Sequence, residues 1–227
     1  MKIDTIVSGI RNLVNNDWLR RTGKALLYSL HVVVHPFDGF WDLKNEKRGN
    51  ASAATIIVIL VLMTRLFSLQ FTSFQFMDVN WEDVNIWVEV AQIALPLIIW
   101  VVANWCLTTL FDGKGSMTEV YIATAYALVP YVLIQIPLFI FSNMVTNEEG
   151  ALYTFFNMLS IFWCAALLLV GLTQTHDYSM SKTVLFVFAS LLGMIVIIVL
   201  CLLIFSMASE AVAYFTSFFQ ELIIRFY

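Results

Sequence analysis

Five apolar runs, each about as long as a helix that crosses a bilayer, leave this chain few folds to choose from. They cover residues 51–71, 90–111, 120–142, 152–172 and 183–205. In hydrocarbon every backbone N–H and C=O needs a partner within the protein, so an apolar run of about 20 residues becomes a helix. Composition points the same way. Of the 227 residues, 60% are hydrophobic and 12% are charged, where a soluble domain has about 45–50% and about 25%. The expected architecture is an all-α, polytopic membrane bundle of five transmembrane helices over 51–206. Residues 1–50 form amphipathic interfacial helices before it. Residues 207–227 form an amphipathic helix that lies on the outer surface or prolongs the fifth span.

Lys and Arg counts set the orientation of such a bundle. Lys2, Arg11, Arg20, Arg21, Lys24, Lys44, Lys47 and Arg48 precede the first run, Lys114 lies between the second and third, and Lys182 between the fourth and fifth. The two remaining loops hold no Lys or Arg, only Asp78, Glu82, Asp83 and Glu89 in one and Glu148 and Glu149 in the other. The expectation is a multi-pass protein of the cell membrane, N-terminus cytoplasmic and C-terminus outside. The net charge of −4 includes no basic domain, so nucleic acid is not an expected partner. Cys106, Cys164 and Cys201 lie inside apolar runs without metal-ligand spacing and read as buried thiols. No cleavable signal peptide is expected, because the apolar stretch 25–34 starts late and lacks a small-residue cleavage site.

Outside the runs, Ile3, Ile6, Val7, Ile10, Leu13 and Val14 recur at helical spacing. A basic amphipathic stretch follows over 18–34, too short to cross, and either lies on the inner leaflet or docks under the bundle. Pro36 should stop that helix, with Phe37, Phe40 and Trp41 at headgroup depth, Gly39 giving a turn, and Lys44, Lys47 and Arg48 holding the segment inside. Trp81, Val84 and Val88 share a helical face, so the second span should begin as an interfacial helix. Asp112-Gly113, with Gly115 beyond it, marks a tight turn, and Ser116 with Glu119 forms a capping box that opens the third span.

Polar residues at membrane depth decide which chemistries the chain can run. No Asp or Glu lies inside the five runs, which excludes an intramembrane aspartyl protease and argues against a proton-coupled carrier. No His-Glu-x-x-His occurs, and no carboxylate pair suits glycoside or phosphoryl chemistry. No catalytic residue, metal site or cofactor is therefore assigned. Arg65 is the one charge within a run; it either snorkels outward and pairs with Glu89, or contacts an anion or other ligand. Asn104, Gln135 and Asn157 are expected to bond between helices, with a substrate pathway as the alternative. Pro96, Pro130 and Pro137 should kink the second and third spans. His31 and His35 share a helical face, and His176 with Asp177 lies on the same side; interfacial histidines are the simpler reading than a metal site.

The segments His-Pro-Phe-Asp-Gly-Phe-Trp-Asp-Leu (35–43), 113–133 and 171–182 together resemble the Yip family of five-span membrane proteins, named for interaction with Ypt/Rab GTPases. Tyr126-Ala127-Leu128-Val129-Pro130 is similar to that family's Tyr-Ser-Leu-x-Pro segment. The resemblance spans roughly 30–206 and is nearest the compact bacterial members. It implies a non-enzymatic adaptor or accessory subunit with a membrane-protein partner such as transporter subunits, and association with a sugar ABC importer, whose genes often neighbour those of bacterial members. Rab binding is not carried over, since Asp38-Gly39-Phe40-Trp41 matches the eukaryotic Asp-Leu-Tyr-Gly-Pro loosely and no long cytosolic arm is expected. A partner-binding inner face is expected from Pro36, Asp38, Phe40, Trp41, Asp112, Gly113, Gly115 and His176. A small solute channel or transporter, possible as an oligomer, is the alternative function.

Overall fold

The computed structural model describes residues 17–76, 84–145 and 149–226. Among them the chain runs α1 (Asp17–Val34), α2 (Pro36–Asn45), α3 (Ala51–Phe71), a 3-10 turn (Phe74–Phe76), α4 (Ile86–Leu110), α5 (Met117–Ala127), α6 (Val129–Ser142), α7 (Gly150–His176) and α8 (Met180–Phe226), with no strand. Helices α3, α4, α5 with α6, α7 and α8 give five segments long and apolar enough to cross a membrane. The amphipathic stretch 3–14 and Trp81 lie outside the described residues.

The ends of the bundle differ. One end, here the basal end, gathers α1, α2 and the two short turns α4–α5 and α7–α8. The other, the distal end, carries the longer connections. Local chemistry starts each basal helix. Asn50 caps α3 by accepting from the Ala53 N–H at 2.6 Å, and Ser116 with Glu119 makes the expected capping box at α5. Both turns rest on an aspartate rather than a glycine: Asp112 (φ 60°) and Asp177 (φ 55°) adopt the left-handed conformation that Asp tolerates.

Pro36 does not merely stop α1. His35 leaves helical geometry and Pro36 becomes the first residue of α2, where its missing N–H costs nothing. Gly39 is no turn residue either. It sits inside α2, where a Cβ would meet the Val32 Cα at 2.8 Å, so its bareness lets α1 and α2 cross closely. Phe40 does not turn outward as an anchor would: it is 2% exposed, its ring against the notch at Gly171. Helix α1 docks on the bundle through Thr22, Ala25, Ser29 and Val32, which recur at helical spacing, while Leu27, Leu30 and Val34 face outward.

The core unites Val32, Phe40, Leu43, Ile57, Tyr126 and Leu167 from α1, α2, α3, α5 and α7. The third span is two helices rather than one: Pro130 cannot donate to Tyr126, so the chain breaks at Leu128 and restarts as α6. Tyr126, fully buried at that break, donates to the Ala25 carbonyl at 3.0 Å and ties α1 to the bundle. Helices α4 and α6 run on through Pro96 and Pro137. The fifth span and the tail are one continuous helix, about 70 Å long at 1.5 Å per residue. Cys106 and Cys201 are exposed and Cys164 half-buried, so the thiols sit on the spans' outward sides and not in the core.

Candidate functional site: the basal polar network

Three clusters make the basal end polar. In the first, Tyr28 donates to Asp42 Oδ2 at 2.6 Å, and Arg48 Nη1 lies 3.4 Å from the same oxygen. The Arg48 guanidinium also covers the Tyr28 ring, 5.2 Å from its centroid. Burial and the bond to Asp42 push the Tyr28 hydroxyl up to about 12.

The second cluster ties α2 to a turn 130 residues away. Lys44 Nζ donates to Asp177 Oδ1 at 2.7 Å and to the Gln174 carbonyl at 3.1 Å. Lys114 reaches Asp177 Oδ2 at 3.4 Å. The Lys44 hydrogen bond leads the effects that hold the Asp177 carboxyl below its ordinary value. Thus the α2 segment, the α4–α5 turn and the α7–α8 turn meet on one carboxylate.

The third cluster is buried. Asn104 of α4 donates to Ser190 Oγ of α8 at 3.1 Å, and its Oδ1 faces His176 Nε2 of α7 at 3.1 Å. Since the Asn104 amide nitrogen goes to Ser190, its oxygen accepts from His176, which places the ring proton on Nε2 and leaves Nδ1 as an acceptor. That Nδ1 is buried without a partner. Gly115 packs over it: a Cβ there would come within 2.8 Å of Nδ1 and of Cε1. Tyr178 completes the turn, donating to the Phe111 carbonyl at 2.7 Å and stacking on His176 with centroids 5.5 Å apart.

The residues expected on the inner face divide into two sets. Asp38, Trp41 and Asp112 are exposed, and Pro36 and Gly113 are half-buried. Phe40, Gly115 and His176 are buried, so they shape this surface from beneath and offer no side chain to a partner. His176 is therefore not an interfacial histidine. His31 and His35 stack on each other, 5.0 Å apart, on the exposed side. Among the described residues no group of three His, Cys, Asp or Glu side chains gathers that could hold a metal ion.

The other polar residues land as pairs. Gln135 donates to Asn157 Oδ1 at 2.6 Å and lies 3.3 Å from Ser160, joining α6 to α7. Arg65 Nε stands 3.4 Å from Glu89 Oε2, joining α3 to α4. Sequence reasoning missed Lys44 with Asp177, Tyr28 with Asp42, and Tyr126 with Ala25. Charge alternation between Lys44 and Asp177 was visible, but nothing local links residues so far apart.

Five antiparallel apolar helices with a polar, closed basal end define a multi-pass integral membrane protein of the helical-bundle class. The model of the Yip1 domain matches residues 30–209, and the chain belongs to this family. No curated protein and no solved structure matches it. The matched region starts in α1 and ends within α8, so it contains the second and third clusters of the basal network whole and the first apart from Tyr28.

Proposed function

We propose that the protein is a non-enzymatic adaptor or accessory subunit of a membrane-protein complex. One observation carries this reading: from Ile198 to Glu221 every residue of α8 is exposed, including Leu202, Phe205, Phe215, Phe218 and Phe219. A helix of about 70 Å exceeds the roughly 30 Å hydrocarbon core by more than twofold. Its distal part carries aromatic residues that nothing else in the described chain covers, and in proteins most of a helix's stability comes from packing such a face. A partner that packs on α8 supplies the cover that the described residues do not. At the basal end, Phe37, Asp38 and Trp41 stand exposed on a helix fixed from below by Phe40 and Lys44, a rigid platform for a second contact. On the positive-inside rule that platform faces the cytoplasm and α8 ends outside. The family resemblance makes a sugar importer of the ATP-driven class the first partner to test.

The test is purification of the full chain from native membranes in mild detergent. A second membrane protein should elute with it in fixed proportion. Truncation after Ser206 should lose that protein while the bundle's melting temperature holds, and Asp38→Ala with Trp41→Ala should weaken recovery without affecting insertion. Elution of the intact chain as a lone monomer overturns the proposal.

A further inference from the structure

The distal halves of the spans enclose a second feature, unrelated to the basal network. A cleft of about 550 Å³ is lined by residues from every span, among them Arg65, Gln92, Pro96, Tyr131, Leu168 and Met194. That volume falls in the range of about 300–1,000 Å³ usual for ligand sites. The cleft exists because α4 and α8 pack only at their basal ends. The buried residues of α4 run from Trp100 to Thr108, and α8 has none beyond Ser190 among the described residues. Toward the basal end, Trp100 is buried and the Asn104–His176–Ser190 clamp ties α4 to α7 and α8.

Its mouth is charged. Arg65 stands about 9 Å short of the distal end of α3, within reach of headgroup depth for an Arg side chain. Its Nε faces Glu89 at 3.4 Å across the α3–α4 gap, and that gap is open because these two helices touch along little of their length. Among the described residues no side chain engages the two Nη nitrogens, and the Gln92 amide and Tyr131 hydroxyl are likewise without a hydrogen-bond partner. A guanidinium fork left open suits the paired oxygens of a phosphate or carboxylate, while the walls below it are almost wholly apolar.

We propose that this cleft seats an anionic acyl lipid entering from the bilayer between α3 and α4. Its headgroup oxygens sit on Arg65 with Gln92 and Tyr131 beside them, and its chain follows Pro96, Leu168 and Met194 toward Trp100. A water-soluble anion fits less well, because it would leave those apolar walls uncovered at membrane depth.

The experiment is native mass spectrometry of the full chain in detergent, titrated with phosphatidylglycerol or phosphatidylcholine of the same acyl chains. Both headgroups bring a phosphate, but the quaternary ammonium of phosphatidylcholine offsets its charge, so phosphatidylglycerol should bind roughly tenfold more tightly. Arg65→Gln combined with Glu89→Gln, which leaves no unpaired charge, should erase that preference. Leu191→Trp, which fills the cleft from a lining position of α8, should weaken both lipids while the melting temperature holds. Equal binding of the two lipids by the native chain, or a preference that survives the double variant, overturns the proposal. So does displacement of phosphatidylglycerol by millimolar inorganic phosphate, which would make the site one for a free anion.

Discussion

The basal and distal halves of the bundle are built from the same kinds of residue and behave as different materials. At the basal end, α1 and α2 wedge against the spans, and hydrogen bonds tie α4 to α7 and α8 through Asn104. At the distal end α4 and α8 lean away: among the described residues Arg65 with Glu89 is the α4 polar contact there, while α6 is tied to α7 by Gln135 with Asn157 and to the end of α3 by Asn143 with the Phe71 carbonyl. Apolar surface in lipid gains little from burial against another helix, so packing and hydrogen bonds decide which helices stay together. The basal half has those ties and is closed. The distal half has few and is open, which is where a lipid or a partner helix finds room.

Substitutions can break this contrast, and the largest effect is expected at Phe40. Phe40→Ala opens a cavity between α2 and the Gly171 notch and should cost about 3–5 kcal/mol. The matched distal change Leu95→Ala, at a side chain 56% exposed, should cost no more than about 0.5 kcal/mol. Unfolding of both variants in the same detergent checks the difference; equal losses would mean that the two halves are equally packed. A smaller effect is expected from Asn104→Leu, which leaves His176 Nε2 and Ser190 without their partner. It should cost about 1–3 kcal/mol, and adding His176→Phe should recover part of the loss.

The smallest effect is electrostatic. The depressed carboxyl of Asp177 contributes stability that is present above its unfolded value of 3.8 and lost as pH falls through its lower folded value. Because 46% of that side chain is exposed, water screens the pair and the contribution should stay below about 1 kcal/mol. Melting curves at neutral and acidic pH check it: Lys44→Met should flatten the acid limb. Tyr28 acts with the opposite sign. Its raised value makes its contribution present below 10 and lost as pH rises through about 12, and Tyr28→Phe should remove that loss.

Much of the local detail was legible before any fold was known. The capping box at Ser116 and Glu119 follows from residue type and spacing, whereas for Arg65 and for Asn104, Gln135 and Asn157 residue type and depth left a structural pair and a ligand or substrate contact both open, and the structure supplies the pairs. The segment 35–49 was less legible. Its aromatics suit a membrane interface in composition, and Trp41 and Phe37 do stand exposed. Which ring goes inside is decided by Gly171, a residue far along the chain that leaves a notch only where α7 passes α2.

By itself the sequence determined that this is a membrane bundle of five spans, where they lie and which polar side chains they carry, because hydrocarbon forces long apolar runs into helices and makes their rare polar groups seek one another. Only the tertiary structure decided that the third span breaks at Leu128, that α2 tucks beneath the bundle, that three basal segments share Asp177, and that the distal part of α8 runs on uncovered by any other described residue. Each of these depends on which surfaces meet, and a contact between residues more than a hundred positions apart has no local signature in the chain.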